Sequence, residues 1–61
     1  MLDKVREIVR KIDPNAEIQI SRNKKFTKIR VKSNRYCDRA KIWISLYELF
    51  KDHEDIIIEV E

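Results

Sequence analysis

The chain has no glycine at all, one proline, one cysteine and one histidine in 61 residues. Average usage near 7% would supply roughly four glycines at this length. Every turn must therefore be made by residues that carry a Cβ, and a glycine-rich phosphate loop is excluded. A lone cysteine forms no internal disulfide, so nothing staples the fold, and a reducing, cytoplasmic setting is the expectation. Long apolar runs are also missing, because 41% of the residues are charged. No stretch approaches the length of a membrane span, and the opening Met-Leu-Asp-Lys does not read as a secretory signal. A chain this short makes one small domain, with too little core to enclose a catalytic cavity.

What is present is periodic. Leu2, Val5, Ile8, Val9 and Ile12 recur at steps of three and four and form one face of an amphipathic helix. Asp13-Pro14 ends that helix, since the residue before proline is pushed out of the helical region. Asn15 is expected to complete the turn in the left-handed conformation that glycine usually provides. The period then changes to two. Ile18 and Ile20 alternate with Glu17, Gln19 and Ser21, and Ile29 and Val31 alternate with Lys28, Arg30 and Lys32. Between these runs lies the polar tip Arg22-Asn23-Lys24-Lys25, so the pair reads as an antiparallel hairpin.

Ser33 and Asn34 supply helix N-cap chemistry, with Asp38 as a competing cap one turn later. From Ala40 to Phe50 runs the longest apolar-rich stretch. Ala40, Trp43, Tyr47 and Phe50 form one stripe, and Ile42, Leu46 and Leu49 form another beside it. Together they cover more than half the helix circumference at about 100° per residue, leaving Lys41, Ser45, Glu48 and Asp52 as the polar face. Glu54 to Glu61 closes the chain as a strand with Ile56, Ile58 and Val60 inward. The order α-β-β-α-β describes a single small α+β domain: a three-stranded sheet with two helices packed on one face.

Catalysis finds little support. Cys37 lies at or before the start of the second helix and His53 near its end, roughly 24 Å apart along sixteen helical residues. That separation excludes a nucleophile–base pair within the helix. One cysteine and one histidine do not close a zinc site, and no oxygen-rich ligand loop is visible. A non-enzymatic protein without cofactor or metal is expected.

Charge is the more informative signal. Residues 21–41 contain nine bases and one acid, a net charge of +8, whereas residues 51–61 carry −4. The overall charge of +3 conceals two opposed patches. In the first reading, Lys24, Lys25, Lys28, Arg30, Lys32 and Arg35 form a basic hairpin that grips nucleic-acid phosphates, DNA or RNA, with Phe26 and Tyr36 as stacking platforms. Its counter-reading is an ion-pair ladder, in which the acidic last strand lies beside the basic one. The position of the last strand decides between them. Against the first strand it leaves the basic edge displayed; against the second it largely neutralises it.

The broad apolar arc of the second helix raises an alternative. Trp43, Ile44 and Tyr47 do not all face the same core as Ile42, Leu46 and Leu49. Either large aromatics close off a thin core, or they anchor a homodimer or a protein partner. The chain would then be a protein-interaction module, such as a small regulator or inhibitor of phage or viral kind. An orphan or designed fold without a binding role is the remaining reading.

The element order resembles the helix–strand–strand–helix–helix–strand course of type II K-homology domains. Those domains grip nucleic acid with a Gly-x-x-Gly clamp, which a glycine-free chain does not contain. The resemblance therefore implies architecture and carries no binding residue across.

Overall fold

A computed structural model describes residues 2–61. Five elements follow one another: α1 (Leu2–Ile12), β1 (Glu17–Arg22), β2 (Thr27–Lys32), α2 (Tyr36–Leu49) and β3 (Ile56–Val60). The sheet order is β1-β2-β3. β1 and β2 pair antiparallel, with Ile18 opposite Val31 and Ile20 opposite Ile29. β2 and β3 pair parallel, with Ile29 beside Ile58 and Arg30 beside Glu59. This is an α+β fold with a mixed sheet, in the expected element order.

The alternation of each strand sends one set of side chains to the helices. Ile29 and Val31 from the central strand are fully buried, together with Val5 and Val9 of α1 and Ile42 and Leu46 of α2. Ile18, Ile20, Ile56, Ile58 and Val60 pack around them, and Phe50 closes the lower end of α2 against the same cluster. The two helices thus share one apolar face of the sheet, and the opposite face carries Gln19, Ser21, Lys28, Arg30 and Glu59.

The α1 boundaries match the apolar periodicity because nothing in that segment competes with it. α2 differs. It begins at Tyr36, a turn before the apolar-rich stretch at Ala40, since Tyr36 to Arg39 contains no helix breaker and the apolar pattern alone does not register such a turn. Its N-cap is Arg35, whose side chain makes no capping hydrogen bond. Neither Ser33 nor Asn34 takes that role. The Ser33 hydroxyl instead donates to Asp13 Oδ2 at 2.6 Å, and Arg39 Nη1 donates to the Ser33 carbonyl at 2.9 Å. The residue expected to cap α2 thereby ties the end of α1 to the end of β2.

The missing glycines are accommodated without left-handed backbone. No described residue has a positive φ, so Asn15 and Asn23 do not adopt the left-handed conformation. Side-chain carbonyl and carboxylate oxygens close two of the turns instead, and the turn after α2 is closed by the His53 N–H donating to the Phe50 carbonyl at 2.9 Å. Asp13 Oδ1 accepts the Asn15 N–H at 3.0 Å. Asn23 Oδ1 accepts the N–H groups of Lys25 and Phe26, both at 2.8 Å, while Asn23 N–H donates to the Phe26 carbonyl at 3.0 Å. These are Asx turns, in which a short side chain imitates a backbone acceptor. Asn23→Ala should therefore lower stability by about 1 kcal/mol, the worth of its lost turn bonds, as a shift in urea midpoint with an unchanged slope.

Candidate functional site

The eight residues expected to form one basic stripe fall into three groups. Lys24, Lys25 and Phe26 sit at the hairpin tip, exposed and outside both strands. Phe26, one residue before β2 and 37% exposed, shares the tip with the two lysines. At the other end, Lys32, Arg35 and Tyr36 surround the start of α2. A strand of six residues separates the two ends by about 20 Å.

Lys28 and Arg30, which would connect them, are engaged by β3. Lys28 Nζ lies 3.1 Å from Glu59 Oε1, and Arg30 Nε donates to Glu59 Oε2 at 3.1 Å. Glu61 stands 3.9 Å from the same Arg30 nitrogen. This arrangement follows from the parallel register, which sets Arg30 beside Glu59 on the outer face. One carboxylate bridges two cations, so the centre of the stripe is an ion-pair ladder. Hydrogen bonds from Lys28 first and Arg30 second hold the Glu59 carboxyl below its usual range, and desolvation opposes them only in part.

At the far end, Arg35 reaches Asp38 at 4.0 Å, and the Arg39 guanidinium lies over the Tyr36 ring, 5.7 Å from its centroid. Asp13 is held below the usual carboxylate range, chiefly by the Ser33 hydroxyl and next by the Asn15 N–H.

The second candidate surface is α2. Ile42 and Leu46 face the core, but Trp43, Ile44 and Tyr47 are 46%, 54% and 55% exposed, and Tyr36 is 77% exposed. At 100° per residue, Tyr36, Ala40, Trp43 and Tyr47 lie along one line, with Ile44 at its edge. Trp43 and Tyr47 stack with ring centroids 5.1 Å apart and an interplanar angle of 13°. Phe50, grouped with that stripe by periodicity, is buried and belongs to the core. Neighbouring elements cover the other side of the helix, and no described element covers this one.

Cys37 is exposed in the first turn of α2. His53 packs its ring edge-on against Phe50, centroids 5.8 Å apart. Among the described residues, no three His, Cys, Asp or Glu side chains come together in a way that would hold a metal ion. No described helix is long and apolar enough to cross a membrane. No protein-family model, curated protein or solved structure matches the chain.

The Glu59 pairs predict a pH dependence. A carboxyl whose folded pKa is depressed contributes stability that is complete above about pH 5 and lost as pH falls through the lowered value. Glu59→Gln should therefore lower the urea midpoint at pH 6, and its difference from the parent should vanish as pH falls toward about 2. Because the pairs are partly exposed, 1 M salt should narrow the same difference at pH 6.

Proposed function

We propose that this chain is a non-enzymatic protein-interaction module that docks through the exposed aromatic face of α2. The observation that carries this reading is the stacked Trp43–Tyr47 pair, with Ile44 beside it, all about half exposed on a helix side that no described element covers. Rigid aromatic side chains bury large area on docking and lose little conformational entropy, which is why they dominate interface anchors. Here they are pre-ordered by stacking on each other. A monomer gains little from them, because its core is closed by Ile42, Leu46 and Phe50.

The experiment compares the face with the core. At dilute concentration, Trp43→Ser with Tyr47→Ser should leave unfolding free energy within about 1 kcal/mol of the parent, as for exposed positions. Leu46→Ala, at a fully buried site, should cost about 2–5 kcal/mol. A face variant as damaging as Leu46→Ala would mean that the aromatics hold the fold together, and the interaction reading would be lost.

A second reading, a nucleic-acid-binding protein, is favoured by the hairpin tip alone. Lys24, Lys25 and Phe26 are exposed together and ordered by Asn23. Two lysines neutralise few phosphates, so binding of this kind would be weak, with a shallow salt dependence. Titration with single-stranded oligonucleotides at two salt concentrations tests it. Lys24→Glu with Lys25→Glu should abolish the binding, and Lys28→Glu should matter less, because Lys28 is already paired with Glu59.

A further inference from the structure

We infer that the occupant of the α2 face is a second copy of this chain, docked helix against helix in antiparallel orientation about a two-fold axis near Ile44. The inference rests on the interaction reading above and adds to it the partner and its orientation.

The argument starts from the charges on the two helices. α1 follows the helix dipole, with Asp3 in its first turn and Arg10 and Lys11 in its last. α2 runs against it. Arg35, Arg39 and Lys41 gather at the N-terminal end, opposed by Asp38 alone. The C-terminal side carries Glu48, and the last turn has no base. The N-cap makes no side-chain hydrogen bond either. In a lone helix these choices are unfavourable. Beside an antiparallel copy they become favourable, since each basic end lies next to the partner's acidic end and the two dipoles oppose.

Lys41 and Glu48 set the register. Both are exposed, and seven residues place them two turns apart on the same flank of the aromatic stripe. Among the described residues neither takes part in an ion pair. A two-fold axis across the seam preserves the flank and reverses the helix direction. If it passes near Ile44, each Lys41 comes level with the partner's Glu48 to within about 2 Å along the axis. Charges flanking an apolar seam are the features that select partner orientation in paired helices. Parallel docking would set Lys41 level with Lys41 and leave the pair unmatched. The antiparallel arrangement is isologous, so it closes at two copies and does not propagate.

The face from Tyr36 to Tyr47 is about 17 Å long. One such helix contact falls short of the roughly 800 Å² per partner of a standard interface, so a dissociation constant on the order of tens of micromolar is expected.

Sedimentation equilibrium from about 5 μM to 1 mM, a range bracketing that constant, reads the association, and the charges read its orientation. Lys41→Glu should weaken dimerisation about tenfold, as should Glu48→Lys, and the double exchange should restore it. Cross-linking reads the register. In a Cys37→Ser background, Ile44→Cys should form an intermolecular disulfide under mild oxidation, because the two-fold brings the two positions together. The native Cys37 should not, since the two copies would stand about 21 Å apart along the axis. A monomer throughout the range, absence of rescue in the double exchange, or equal cross-linking at 37 and 44 would overturn the proposal. If the chain stays monomeric while the Trp43/Tyr47 variant keeps its stability, the self-pairing is wrong and the interaction reading survives with another protein as partner.

Discussion

The parallel pairing of β3 with β2 is the contact on which the other features depend. The hairpin fixes β1 on one side of β2, and α2 then has to return the chain to the level at which β2 began. Fourteen helical residues rise about 21 Å, and six strand residues span about 20 Å, so α2 is the right length for that return. β3 then runs parallel to β2 and leaves it central. Ile29 and Val31 become fully buried on the inner face. On the outer face Lys28 and Arg30 are brought against Glu59 by the same register. Core formation and charge neutralisation are two faces of one strand placement.

That placement was the part of the fold least legible in the sequence. Periodicity is a local property, and it located α1 to the residue and the strands to within about two residues. It also identified Ile18, Ile20, Ile29 and Val31 as inward-facing. Strand order is non-local. The alternation of β3 is equally compatible with either edge of the hairpin, and the basic run therefore read equally well as a displayed patch or a ladder. Turn chemistry was misjudged for a different reason. A missing glycine suggests that asparagine must take the left-handed conformation, but Asx side chains offer another solution in which oxygen acceptors close the turn at ordinary φ. The same competition explains Ser33, which had a nearer acceptor in Asp13 than in the helix end.

The breadth of apolar character on α2 was legible and proved informative. A helix packed on a sheet beside one neighbour covers only part of its circumference, and the excess must be core, lid or interface. Ile42, Leu46 and Phe50 complete the core without help. The excess is thus Tyr36, Trp43, Ile44 and Tyr47, which are all on one side. Their placement could be read from 100° steps once Phe50 was known to be inside, and that assignment required the tertiary structure.

α2 combines three locally unfavourable features: exposed large apolar side chains, more bases than acids near its N-terminus with no base in its last turn, and an N-cap without a side-chain hydrogen bond. In a chain of 61 residues, whose core supplies only a small margin of stability, such features are costly if the helix stands alone. Elsewhere the same chain keeps closer to the rules: α1 has Asp3 in its first turn and Arg10 and Lys11 in its last, the turns at Asp13 and Asn23 are closed by side-chain oxygens, and Lys28 and Arg30 pair with Glu59 on the outer sheet face. Four of the six described large apolar side chains that stand exposed lie on this one surface, Phe26 and Ile57 being the others, and such a concentration points to a second requirement on that surface. Association would meet the first two, because a facing partner would cover the aromatics and supply opposite charge to each end, and it would add to folding stability by mass action.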